Sequence, residues 1–142
     1  MAYLPMISGG GCDLTGTLIW TNPTPSTNIT ANKQLVASTD IQDYDYIRVV
    51  WCYSTTALNT MSEMIVNKAD WASQTPSSAI AKTGTICARE SGSGGRTFYR
   101  GLWLNNPSLG DGIWIDGNCR QVGGTTIANN MCIPLYIYGI KA

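Results

Sequence analysis

The sequence predicts an all-β protein, an antiparallel β-sandwich or jelly roll of about eight or nine strands. Three observations carry this. The segment Ile133-Pro-Leu-Tyr-Ile-Tyr-Gly-Ile-Lys-Ala142 alternates with a period of two, the signature of a strand. Turn-forming residues punctuate the chain about every ten residues, the spacing of short antiparallel strands. No apolar pattern of helical period runs longer than one turn. At 142 residues the chain suits one domain with a sizeable core. Residues 1–16 read as an N-terminal stub with a glycine hinge, and residues 17–142 as a single sandwich domain.

Each element follows from its own residues. The stub places Tyr3, Leu4, Met6 and Ile7 before Gly9-Gly-Gly11, an apolar patch on a hinge that either attaches the chain to a particle or covers the domain's edge. Thr17–Thr21 is a first strand, stopped by Asn22-Pro-Thr-Pro25 because proline cannot donate to a ladder. Lys33–Ser38 is a second, followed by a polar connection from Asp40 to Asp43. Tyr44–Tyr53 is the strongest internal strand. Ile47, Val49, Trp51 and Tyr53 share one of its faces, and Tyr46, Arg48, Val50 and Cys52 the other, so it is expected to be central and covered on both sides.

Met61–Asn67 is a shorter strand, and Lys68–Ser78 a loop with room for a single helical turn around Trp71. Ile80–Glu90 alternates again before Ser91-Gly-Ser-Gly-Gly95, a flexible hairpin connection. Arg96–Asn105 is a long strand with Phe98, Leu102 and Leu104 opposite Tyr99 and Trp103. Ile113–Ile115 and Cys119–Val122 bracket Asp116-Gly117-Asn118, a hairpin signal because a type I′ turn needs the positive φ that Gly reaches freely. In the last strand Ile133, Leu135 and Ile137 face one way; Tyr136, Tyr138 and Ile140 face the other. That second face is too apolar for open water, and a subunit contact is expected there. The C-terminus is expected to be structural.

Composition narrows the function. Charged residues are 13% of the chain, and nine basic and nine acidic ones cancel. This argues against nucleic acid, whose phosphates demand clustered Lys and Arg. It also weakens the repulsion between copies. The absence of histidine removes Ser-His-Asp and Cys-His catalysis and the usual His-containing zinc sites. Cys12, Cys52, Cys87, Cys119 and Cys132 are scattered, with no C-x-x-C pair. They read as reduced, buried thiols; one or two disulfides with a thiol left over is the alternative. No secretory signal and no membrane span is read, so folding in a cytoplasm is expected. No metal or cofactor is expected.

Five Trp and seven Tyr in a neutral β domain suggest a sugar-binding surface, because an aromatic ring stacks on a pyranose while polar side chains bind its hydroxyls. Trp103, Asn105, Asn106, Asp111, Trp114 and Asp116 form the best cluster by position. The competing and favoured reading makes Trp103 and Trp114 cross-strand or core residues. Asp43-x-Asp45 lacks the glycine loop and distal acid of an EF-hand, and reads as solvated turn acids. No two carboxylates share a face in the manner of a glycosidase. Arg96 and Arg100 share a strand face and read as exposed or interface residues rather than a nucleic-acid footprint. No catalytic residue is assigned.

Leu18-Ile-Trp-Thr-Asn-Pro-Thr-Pro25, Tyr44-Asp-Tyr-Ile-Arg-Val-Val-Trp51 and Cys132-Ile-Pro-Leu-Tyr-Ile-Tyr-Gly-Ile-Lys141 resemble a group of small β-rich virion proteins of tailed phages infecting Gram-positive bacteria. The likeness spans nearly the whole chain from Thr17 and carries no catalytic motif. It implies a non-enzymatic structural or receptor-binding virion part, of tail-fibre type and trimeric. Its partners would be copies of itself, other virion proteins and bacterial surface polysaccharide. A capsid head-fibre or decoration protein is the nearest alternative, and a free carbohydrate-binding lectin the alternative from another class.

Overall fold

The computed structural model describes residues 14–73, 84–106 and 110–142. The stub residues Tyr3, Leu4, Met6 and Ile7, the hinge, Cys12 and the start of the segment from Ile80 lie outside the described residues. Among the described residues nine strands follow in order: β1 (Thr17–Thr21), β2 (Lys33–Val36), β3 (Tyr46–Ser54), β4 (Ala57–Asn67), β5 (Gly84–Arg89), β6 (Thr97–Asn106), β7 (Gly110–Ile115), β8 (Arg120–Gln121) and β9 (Met131–Ile140). A 3-10 turn at Ser38–Asp40 follows β2, and one helical turn, α1 (Lys68–Ser73), follows β4. No helix among the described residues is long and apolar enough to cross a membrane.

The strands form two antiparallel sheets, β1-β9-β3-β4 (sheet A) and β2-β7-β6-β5 (sheet B), with β8 added to β6. The first strand pairs with the last and the second with the seventh, a nested wrap like that of a jelly roll. Inside this wrap β3–β4 and β5–β6–β7 are local antiparallel pairings. The core lies between the sheets. Ile47, Val49, Trp51 and Ile137 come from sheet A; Ile86, Phe98, Leu102, Ile113 and Ile115 come from sheet B. Trp51 also ties the sheets by a polar bond, its Nε1 donating to the carbonyl of Cys87 at 2.8 Å. Helix α1 is short but drives Trp71 into the same core, where it is 3% exposed.

Besides β4, which starts at Ala57 rather than Met61 and runs 11 residues, and Cys87, which is exposed rather than buried, three expectations need correction. The alternation of β9 is broken by a bulge: Val50 pairs with Tyr136 while the next residue, Trp51, pairs with Pro134. An extra residue reverses the facing of everything beyond it. Ile133 and Leu135 therefore join Cys52 in a second cluster, while Ile137 enters the main core.

The Asp116-Gly117-Asn118 segment is not a hairpin. β7 and β8 both pair with β6: Leu102 lies opposite Ile115, and Tyr99 opposite Arg120. Three steps along β6 are thus matched by five on the other chain, so two extra residues bow out of one continuous edge.

Arg100 is the third correction, because it is fully buried. Its side chain reaches the first residue of that bow, Asp116. Its Nε donates to the carbonyl of Cys132 (3.0 Å), Nη1 to Ile29 (3.2 Å) and Asp116 (2.9 Å), and Nη2 to Asn129 (2.9 Å) and Met131 (2.9 Å). All five guanidinium N–H donors are thereby satisfied. Burial pulls its pKa below the ordinary value, but a guanidinium keeps its charge. Arg96 instead stays at the surface, where it pairs with Glu90 at 2.6 Å.

The thiols divide by face. Cys52, Cys119 and Cys132 are buried, whereas Cys87 lies on the exposed face of β5; none of these four is in a disulfide. The Cys132 thiol donates to the carbonyl of Phe98 at 3.7 Å, and the Cys52 thiol to the carbonyl of Ser54 at 3.4 Å.

Candidate functional site

The cluster around Trp103 and Trp114 comes together only in part. The two residues are cross-strand partners on the outer face of sheet B, as a strand pairing requires of aromatics at matched positions. Trp103 is 7% exposed, which leaves almost no ring for a sugar to stack on. Trp114 is half-buried, its Nε1 donating to the carbonyl of Asp111 at 3.1 Å. Asp116 sits beyond the other end of β7, buried at 5%; its Oδ1 accepts from the Asn118 amide (3.0 Å) while its carbonyl accepts from Arg100. It is part of the frame. Asn105, Asp111 and Trp114 remain gathered near the β6–β7 end, and the side chain of Asn106 lies outside the described residues.

The expected interface residues fall on the outer face of sheet A, where pairing builds rows across it. Leu18, Tyr138, Arg48 and Ile65 form one row; Tyr136, Val50 and Glu63 form the next. Leu18 is 50% exposed, Met61 54% and Ile65 39%. Arg48 lies 4.6 Å from the Tyr138 ring centroid and 2.6 Å from the Glu63 carboxylate. The face is thus apolar with one charge pair cancelled in its middle. Ile140 does not contribute, because it is 1% exposed beneath Gly16, whose φ of 74° lets the entering chain lie close on it.

A groove of about 700 Å3 opens at the pole where β3 starts and β9 ends. Four elements shape it. The turn after Ser38–Asp40 carries Gln42, Asp43, Tyr44 and Asp45, and it is pinned to α1 by Lys68, whose Nζ donates to the carbonyls of Ile41 (2.7 Å) and Gln42 (2.9 Å). Asn67 closes β4 and accepts from the Ala69 amide at 2.9 Å, starting α1. Asn105 ends β6 in a bulge at φ 55°, its Oδ1 accepting from the Gly112 amide at 2.9 Å. Asp45 Oδ2 accepts from the Ala142 amide at 2.8 Å.

Sequence reasoning missed this groove, although Asp43-Tyr-Asp-Tyr46 was the available signal: two acids and two aromatics alternate where the strongest strand begins. Among the described residues no group of three or more His, Cys, Asp or Glu side chains could hold a metal. Comparison with protein-family models, curated proteins and solved structures finds no match.

Proposed function

We propose that this chain is a non-enzymatic structural module of a bacteriophage virion, of tail-fibre or receptor-binding type, that assembles with copies of itself through the outer face of sheet A. The observation that supports the reading is that face. Large apolar side chains on two separate strands, Leu18 on β1 and Met61 and Ile65 on β4, stand half open to water. Between them the charges of Arg48 and Glu63 already satisfy each other, so burying the face strands no unpaired ion. Exposed apolar side chains around an internally paired charge are what a protein–protein interface presents. A zero net charge adds no opposing repulsion. In a trimer the contact would be heterologous, with the face seated on a different surface of the next copy and the ring closing after three.

Light scattering on the full chain tests this. A trimer is expected, and Met61→Lys combined with Ile65→Lys is expected to yield monomers with an unchanged β-type circular dichroism spectrum. A wild-type monomer at about 100 μM, a hundredfold above a micromolar Kd, would remove the assembly reading.

A further inference from the structure

We propose that the groove between the Gln42–Tyr46 turn, the start of α1 and the end of β6 binds a neutral saccharide. This inference deepens the receptor-binding half of the proposed function and is independent of its assembly half. Its volume, about 700 Å3, falls within the usual range for small-ligand sites and would admit one or two sugar rings.

The argument is the pattern of spent and unspent hydrogen-bonding groups. Asn67 and Asn105 both use the amide oxygen on a backbone N–H. Their NH2 groups make no hydrogen bond among the described residues and remain as donors. Lys68 commits two N–H donors to carbonyls and retains a third. Asp43 is exposed and makes no hydrogen bond or ion pair among the described residues, and Asp45 has committed only Oδ2. The groove therefore offers donors and carboxylate acceptors side by side. A hydroxyl group needs both, because it donates one hydrogen bond and accepts others. Carbonyl-only or phosphate-bearing ligands would leave the two carboxylates unmatched. One acid more than the single lysine also disfavours an anion.

Aromatic surface completes the chemistry. Tyr44 and Tyr46 line the groove. Tyr44 is held rigid because its ring lies directly on Gly139, where a Cβ would come within 2.4 Å of it. A ring fixed in advance binds at little entropic cost. Asn105 sits in a left-handed bulge, a device that re-aims a side chain at the end of a strand. Trp103, by contrast, has little open ring, and the indole N–H of Trp114 is already engaged.

The test is an amide-resolved NMR titration of the full chain with glucose, galactose and N-acetylglucosamine, alongside a glycan array. The expected result is shifts confined to Gln42–Tyr46, Asn67–Ala69 and Asn105 with at least one sugar. Asp43→Ala removes a solvent-facing carboxylate that supports nothing else, so it should leave the free spectrum intact while weakening binding about tenfold, the loss of one charged hydrogen bond. Array binding that survives Asp43→Ala but is lost in Trp114→Ala would overturn the groove and leave the receptor-binding reading standing. Absence of any shift and of any array signal would overturn both, with light scattering still deciding assembly.

Discussion

Arg100 shows what a single side chain can be asked to do. It gathers carbonyls from residues 29, 116, 129, 131 and 132 and holds Cys132 at φ 54°, a conformation costing about 1–2 kcal/mol for a non-glycine residue. Arg100→Leu leaves five carbonyls without this donor and is expected to destabilise the fold, at about 1–3 kcal/mol for each that stays buried and unsatisfied, read from the urea midpoint. Arg100→Lys should also destabilise, since an ammonium has three donors against five. At the surface, Glu90 has its pKa lowered to about 2 by the Arg96 side chain and then by the Arg96 amide. A depressed carboxylate stabilises the fold at pH values above its unfolded pKa of about 4.3; that contribution fades as pH falls toward 2. NMR titration should place the Glu90 midpoint near 2 in the wild type and return it to the ordinary range in Arg96→Ala.

At the scale of elements, β9 and its neighbours carry the strongest test. Gly139 admits no side chain because the Tyr44 ring occupies the space. Gly139→Ala should destabilise by about 1–3 kcal/mol, the cost of overpacking, and should shift the Tyr44 ring resonances. Trp51→Phe removes the hydrogen bond this side chain makes across the sheets to Cys87, and should cost about 1 kcal/mol in a thermal melt. The elements themselves were largely legible in the sequence, because period-two alternation survives wherever the pleat is unbroken. β3 and β6 appear within two residues of their expected bounds, and the helical turn appears around Trp71. Facing was legible only up to a bulge. In β9 one extra residue puts Leu135 and Ile137, expected on one face, into different clusters, and no local residue type announces it. Asp116-Gly117 misled for a different reason: its turn chemistry is real, but tertiary pairing of both flanks with β6 decided what the turn joins.

Across the whole molecule, the sandwich follows from alternation, while the site depends on which poles the strands reach. The groove unites residues from 38 to 142, and no spacing rule brings Asn67 and Asn105 beside Tyr44. The inward course of Arg100 is legible in the sequence: it falls midway between Phe98 and Leu102 on the same parity, so an apolar strand face points it inward. Hydrogen exchange should be slowest in β3 and β9 of sheet A and β6 and β7 of sheet B, since each is flanked on both sides and their amides open only with the global unfolding.

The bowed edge between β7 and β8 also dictates the order of events in folding. The guanidinium reaches partners 16 to 71 residues away in sequence, so its cage cannot exist until both sheets have met. Until then water solvates the charge, and its transfer to carbonyls belongs to the last, native side of the barrier. Variants at Arg100 should therefore have φ-values near zero in stopped-flow experiments, speeding unfolding while hardly slowing refolding. With that outcome the bow would be a late-closing lock, governing how long the folded molecule lasts rather than how fast it is reached.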